Sequence, residues 1–277
     1  MRQLPIDTRP LFAPLDQRLL QLLKSLNEVD WHRPTVAGTW VVKDVVSHMV
    51  DTKLRTLSIQ RDQYFGDQAP PGNSYAEFVS FINQLNGQWV QATKRLSPGV
   101  LIFLLEAIGD STSAYYNSLD PWEPSIFPVH WAGETSSYNW MHLAREYTEY
   151  WHHQQQIRDA VGQPGILTRE FFHPVINTFF RGLPHTFREV SAPTGTLIQI
   201  SISSTAGGHW HLKKAEAGWQ LTASPVAAPN TTVSIPVDLS WKLFTKSLRP
   251  QAVKDRITIT GDQRMGRKVL ELVAVIA

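Results

Sequence analysis

The stretch Trp140-Met-His-Leu-Ala-Arg-Glu-Tyr-Thr-Glu-Tyr-Trp-His-His-Gln-Gln-Gln-Ile-Arg-Asp159 continues to Val161 without a proline or glycine, then stops at Gly162 and Pro164. Such a run, closed by those two residues, predicts one long helix. Four residues advance a helix by about 400°, so Glu149 and His153 stand one turn apart on nearly the same face. A carboxylate and an imidazole presented together can hold two positions of a divalent metal, with a third ligand supplied by another element. His48, in Asp44-Val-Val-Ser-His48 on an earlier predicted helix, is the candidate for that third position.

The same residues also support plainer readings. A Glu/His pair at this spacing forms helix-surface hydrogen bonds. His48 lies among Val45, Val46, Met49 and Val50, the setting of a core histidine. His152 directly precedes His153 and is not expected to share its face. Asp44, one turn before His48, can orient that ring or merely decorate its helix. Arg145, one turn before Glu149, is either a partner of that carboxylate or half of an intrahelical ion pair. Asp44, Glu146 and His152 are the nearby groups that could act as a general base.

Around this helix the chain divides in two. Residues 1–9 form a lead-in held out of helix by Pro5 and Pro10. Leucines at 15, 19, 20, 22, 23 and 26 make a helical stripe, and Trp40 to about Phe65 repeats the period. A loop over 66–74 centres on Pro70-Pro71-Gly72. Helices follow over 75–96 and, after Ser97-Pro98, to about Leu119. Residues 120–137 hold three prolines and two tryptophans and read as an ordered cover. Past Gly162-Gln-Pro-Gly165 the pattern changes. Thr168 to about Val190 is helical with bends or breaks at Pro174 and Pro184. Alternating segments at 196–203, 209–214, 219–222, 231–236 and 256–260 then read as strands, with Gly207-Gly208 and Ala217-Gly218 as turns. A helix capped by Asp238 and a closing helix after Gly261-Asp262 complete the chain. The expected fold is an all-helical bundle over 1–165, followed by a smaller α+β domain with a mainly antiparallel sheet over 166–277.

Composition narrows the function. The 277 residues carry a net charge of +2 with scattered Lys and Arg, which leaves no nucleic-acid footprint. There is no cysteine, so disulfides, zinc–thiolate sites and a cysteine nucleophile are excluded, and any thiol must come from outside. No signal-peptide pattern and no apolar run of membrane-spanning length occurs, so a cytoplasmic location and no membrane partner are expected. No G-x-G-x-x-G or phosphate loop appears. Ten tryptophans are present, and Trp122, Trp131 and Trp140 lie near the predicted cover, where they fill core or wall a pocket.

Several segments resemble the DinB-like superfamily, in particular the mycothiol-dependent maleylpyruvate isomerase family. Thr39-Trp-Val-Val-Lys-Asp-Val-Val-Ser-His48 resembles the family's second helix and first metal histidine. Leu85-Asn-Gly-Gln-Trp-Val-Gln-Ala92 with Leu96-Ser-Pro98 resembles its third helix and the following turn. Arg145-Glu-Tyr-Thr-Glu149 with His153 resembles the helix giving a glutamate and a second histidine, and Arg256-Ile-Thr-Ile-Thr-Gly-Asp262 resembles its ending. The resemblance implies a DinB-like four-helix bundle joined to a sterol-carrier-like domain, with His48, Glu149 and His153 as metal ligands. It also implies Asn86 as a pocket residue and Arg249, near Lys246, as the counterpart of an arginine that the family's second domain offers to the site. His153-Gln-Gln-Gln-Ile-Arg158 departs from the family's usual continuation after that histidine.

Two imidazoles and a carboxylate leave a coordination position open, and zinc suits them best. The expectation is a metal-dependent enzyme, monomer or homodimer, that uses a low-molecular-weight thiol of the mycothiol or bacillithiol type. It would transfer that thiol to a small electrophile such as maleylpyruvate, or isomerise the electrophile through it. A metal-dependent hydrolase and a non-enzymatic binder of metal or apolar ligand are the alternatives.

Overall fold

A computed structural model describes residues 3–67, 74–223 and 227–275. Pro70-Pro71-Gly72, where a loop is expected, lies outside the described residues, as do Met1 and Arg2 of the lead-in. Helices α1 (Phe12–Ser25), α2 (Val42–Arg55), α4 (Pro98–Ser118) and α5 (Asn139–Val161) pack against one another as the four-helix bundle. Helix α3 (Tyr75–Thr93) lies against α2. The expected start signal at Ser97 operates, and Ser74 supplies another. Ser97 Oγ accepts from the Val100 amide, and Ser74 and Glu77 exchange side-chain and backbone bonds at the start of α3. Gly162, at φ +66, closes α5 in the left-handed conformation.

Helix α2 does not run as α-helix to Phe65. At Thr56–Arg61 it widens into a π-helical turn, a feature frequent at functional sites. This turn brings Gln60 into the interior, 2.8 Å from the Nε2 of His142 on α5.

The second half begins with α6 (Arg169–Phe180), which keeps Pro174 inside it, and α7 (Leu183–Thr186). A five-stranded sheet follows in the order β3-β2-β1-β4-β5, from β1 (Leu197–Ser203), β2 (Gly208–Ala215), β3 (Gly218–Thr222), β4 (Thr231–Pro236) and β5 (Thr258–Gly261). Every pairing is antiparallel except β1 with β4. Ile198, Ile200 and Ile202 of β1 face inward while Gln199, Ser201 and Ser203 face out, the alternation of a sheet with one solvated side. At the β1–β2 turn, a Cβ on Gly207 would lie 2.1 Å from the Ile202 carbonyl oxygen, so no other residue fits there. Helix α8 (Val237–Phe244) starts one residue before Asp238 and has no side-chain cap. Asp238 instead pairs with Arg256, 2.9 Å away, in the 3-10 helix Pro250–Arg256. Helix α9 (Gln263–Val269) is capped by Asp262, whose Oδ1 accepts from the amides of Arg264 and Met265.

One apolar core crosses from the bundle into the second half. Trp151 of α5 meets Phe172 of α6 at 5.5 Å and Trp241 of α8 at 6.2 Å between ring centroids, and its indole N–H donates to the Ile166 carbonyl. Fully buried inside the bundle is Lys53, whose Nζ sits 2.6 Å from Asp16 Oδ2 and 4.4 Å above the Tyr150 ring. Burial pushes the Lys53 amine down and the Asp16 carboxyl up, so each ion is held by the other. Asp16→Ala leaves the ammonium uncompensated and is expected to cost about 3–5 kcal/mol in urea unfolding.

Candidate metal centre

Helix α5 places Glu149, His152 and His153 so that one ligating atom of each lies within 4.8 Å of the others. His152 therefore joins the face it was not expected to share. Taken from Glu149, the i+3 residue lies about 60° to one side and the i+4 residue about 40° to the other, so both imidazoles flank the carboxylate. His153 Nε2 is 3.8 Å from Glu149 Oε2. His48 comes from α2, which packs on α5, and its ring centroid is 4.8 Å from that of His153 and 5.1 Å from that of Trp40. The three residues expected from the sequence, His48, Glu149 and His153, line one cavity together with His152; Glu149, His152 and His153 form the compact cluster, and His48 adjoins it through the His153 ring.

Gln156, one turn further along α5, holds two of these rings. Its Oε1 is 2.9 Å from His153 Nδ1 and its Nε2 is 2.9 Å from His152 Nε2. With the amide oriented so, His153 Nδ1–H donates to it and the Nε2 lone pair is left facing Glu149. The Nδ1 atoms of His48 and His152 are buried without a partner. Burial pushes the pKa of His48, His152 and His153 below the ordinary histidine value. The neighbouring His153 ring pushes His48 and His152 further down, and the Gln156 bond partly opposes the shift in His153. Neutral imidazoles beside a carboxylate form a donor set suited to a divalent cation: His153 turns its Nε2 lone pair toward Glu149 and His48 keeps an unpartnered Nδ1, whereas His152, whose Nε2 accepts from Gln156, carries its proton on Nδ1. Asp44 does not orient His48; its carboxylate accepts from the Val41 amide and caps α2.

Beside these residues runs a second polar network. His142 Nδ1 accepts from Arg145 Nη2 at 3.0 Å, and Arg145 pairs tightly with Glu146. Tyr116 Oη donates to Glu146 at 3.0 Å and lies 3.1 Å from Thr56 Oγ1. Arg145 thus pairs with its neighbour Glu146. Burial pushes the Glu146 carboxyl up, but Arg145 and His142, with the Tyr116 bond, bring it below its usual value. Burial and then the Arg145 charge depress His142 to about 4.

The cavity has a volume of about 990 Å³. It opens between α2 with its π-turn, α3, α5, the 120–137 cover and, from the second half, Thr245, Lys246, Ser247 and Val275. Asn86 lines it and accepts from Arg55 Nη2 at 2.9 Å. Arg249 is exposed at the start of the 3-10 helix and is not among the lining residues, whereas Lys246, held at φ +58, is. Of the three tryptophans near the cover, Trp131 lines the cavity; Trp140 instead stacks near Arg181. Sequence reasoning did not reach Gln156 as the residue that orients the rings, although its i+3 and i+4 spacing from His153 and His152 was readable. Arg55 and Gln60 gave no signal, because the π-turn that aims Gln60 is not written in hydrophobic period.

A family sequence model described as the Mycothiol maleylpyruvate isomerase N-terminal domain matches residues 12–158, more than half of the chain. The chain belongs to that family. Its fold is that of a solved mycothiol-dependent maleylpyruvate isomerase, with a TM-score of 0.53, 11% identity and 91% of each chain covered. A histidine-to-alanine mutant of a mycothiol-dependent maleylpyruvate isomerase aligns at a TM-score of 0.54 with the same identity and coverage. Sterol Carrier Protein 2 Like 2 from Aedes aegypti overlaps 35% of this chain and 95% of its own at 17% identity, with a TM-score of 0.27. A search of curated proteins returns no match. Among the described residues no helix is long and apolar enough to cross a membrane.

The His142 shift makes a pH prediction. Its folded pKa, about 4, lies below the ordinary 6.5, so the unfolded chain binds the proton more tightly. The folded state is therefore fully stable with respect to this group above about pH 6.5 and loses stability as the pH falls toward 4, by at most about 3 kcal/mol. Urea unfolding at pH 7 and pH 4.5 is expected to show a smaller acid loss in His142→Gln than in the wild type.

Proposed function

We propose that this protein is a metal-dependent enzyme that uses a low-molecular-weight thiol, of the mycothiol or bacillithiol type, to transfer to or isomerise a small electrophile, for which maleylpyruvate is the family's example. The observation that carries this reading is the convergence of His48, Glu149 and His153 at the wall of one large cavity, with burial keeping the imidazoles neutral. These three residues would hold the cation, with His152 beside them. A bound zinc or similar ion supplies Lewis acidity that lowers the pKa of an incoming thiol.

The chain's own groups do the rest. Gln156 fixes the His153 tautomer, so the ring presents the nitrogen that faces Glu149. The absence of cysteine agrees with a thiol brought as co-substrate. Phe78, Phe81, Phe127 and Trp131 give the cavity aromatic walls against which a thiol and an electrophile would be held. Glu146, held ionised by Arg145, is unsuited to donate a proton near neutral pH. His152, whose Nε2 accepts from Gln156 and whose pKa burial and then the His153 ring push well down, stays neutral beside Glu149 and His153.

Protein purified without added metal is expected to carry about one divalent ion per chain by elemental analysis, lost in His153→Ala and His48→Ala. Gln156→Leu, which removes only the ring support, is expected to lower metal affinity roughly 10–100-fold. No metal in the wild type, and none taken up on addition, would sink the catalytic reading. Thiol-dependent turnover of an electrophile by the metal-loaded protein, absent in His153→Ala, would support it.

A further inference from the structure

We infer that the cavity takes an amphipathic monoanion, an aromatic or similarly bulky apolar carboxylate, with its body on α3 and its carboxylate on Arg55 and Arg145. This names the substrate class of the site proposed above and rests on that reading for where the chemistry occurs.

The apolar half of the argument is in α3. Phe78, Phe81, Ile82 and Leu85 fall at i, i+3, i+4 and i+7, a stripe that normally seals a helix into a core. Here each is only partly buried and each lines the cavity; full burial along α3 comes further on, at Val90 and Thr93. The helix rests on α2 through its far end, where Trp89 donates to the Ser47 carbonyl, and its near end spans the cavity. Phe127 and Trp131 belong to the lining from the cover. A short, doubly charged acid would leave these walls against water, whereas an apolar body on them recovers the burial that the stripe otherwise forgoes.

The polar half is a pair of guanidiniums already held in place. Arg55 is anchored through Nη2 to Asn86 Oδ1 at 2.9 Å and Asp51 Oδ2 at 3.0 Å. Arg145 is anchored through Nη2 to His142 and Glu146. Among the described residues no hydrogen bond reaches Nη1 of either arginine, and both side chains line the cavity. The Nε atoms of both are also buried without a partner. Tyr116 Oη bridges Thr56, next to Arg55, and Glu146, next to Arg145, so α2 and α5 bring the two arginines to one polar network. Fixed N–H donors of this kind match the planar acceptors of a carboxylate. Asp51 and Glu146 already balance one positive charge each, so the pair offers donors with little surplus charge. That suits one carboxylate and not two.

The test is calorimetric titration of the full-length protein as purified, without thiol, using trans-cinnamate, trans-cinnamamide and maleate. Cinnamate is expected to bind at least about tenfold more tightly than maleate and more tightly than its amide. Arg55→Gln is expected to weaken cinnamate about tenfold to hundredfold and to leave the amide unchanged, as loss of a charge-assisted bond requires. Arg55→Lys, which keeps the charge, recovers part of that preference and guards against a folding defect in Arg55→Gln. Phe81→Ala weakens acid and amide alike at unchanged melting temperature. Maleate binding as tightly as cinnamate, or an acid-over-amide preference untouched by Arg55→Gln, overturns the inference. Thiol-dependent turnover confined to short diacids would overturn it while leaving the proposed function standing. The expected binding preferences without any thiol-dependent turnover would do the reverse.

Discussion

The fold depends on how α5 settles its buried polar groups. This helix passes through the interior carrying His142, Arg145, Glu146, His152 and Gln156, all buried. An unpaired polar group in such a place costs about 1–3 kcal/mol, and more if charged. The chain meets that cost by matching each group to a specific neighbour: Gln60 and Arg145 for His142, Tyr116 for Glu146, Gln156 for the two adjacent imidazoles. Some atoms stay without a partner, among them the Nδ1 of His48 and of His152 and the Nε of Arg145. Several of the buried polar atoms left without a partner, on His48, His152, Arg55, Arg145 and Trp131, belong to residues that line the cavity.

The π-turn after α2 belongs to the same arrangement. An α-helix continued to residue 65 would carry Gln60 on a different heading, and His142 would lose its partner. The widened turn spends regular hydrogen bonding to satisfy one buried ring, and in doing so it sets Thr56, Ile59 and Gln60 along the cavity wall.

Much of this was legible beforehand. The bundle, the change of character after Gly162 and the mainly antiparallel sheet follow from period and punctuation, and the Glu149/His153 pair from spacing on one helix. His48, the candidate offered by another element, lies with its ring centroid 4.8 Å from that of His153. Other features were not legible for physical reasons. Neighbouring side chains diverge by about 100°, but long ones converge again when both flank a third residue, so His152 was set aside. Asp238 was read as a cap, but the chain begins α8 one residue earlier and uses the carboxylate for Arg256. The α3 stripe carries the signature of core, and sequence period cannot distinguish a face that meets protein from one that meets a cavity.

The shared core of the two halves has a further consequence. Trp151 lies against Phe172 and Trp241, so the helix bearing Glu149 and His153 has its opposite side set in side chains from beyond residue 165. A chain shortened to the bundle would expose that flank of α5 to water and leave the helix without its backing. The Glu149/His153 face and the trailing segment are thereby tied together: either can drift in sequence, but neither can be exchanged for a foreign module without recutting the seam at Trp151.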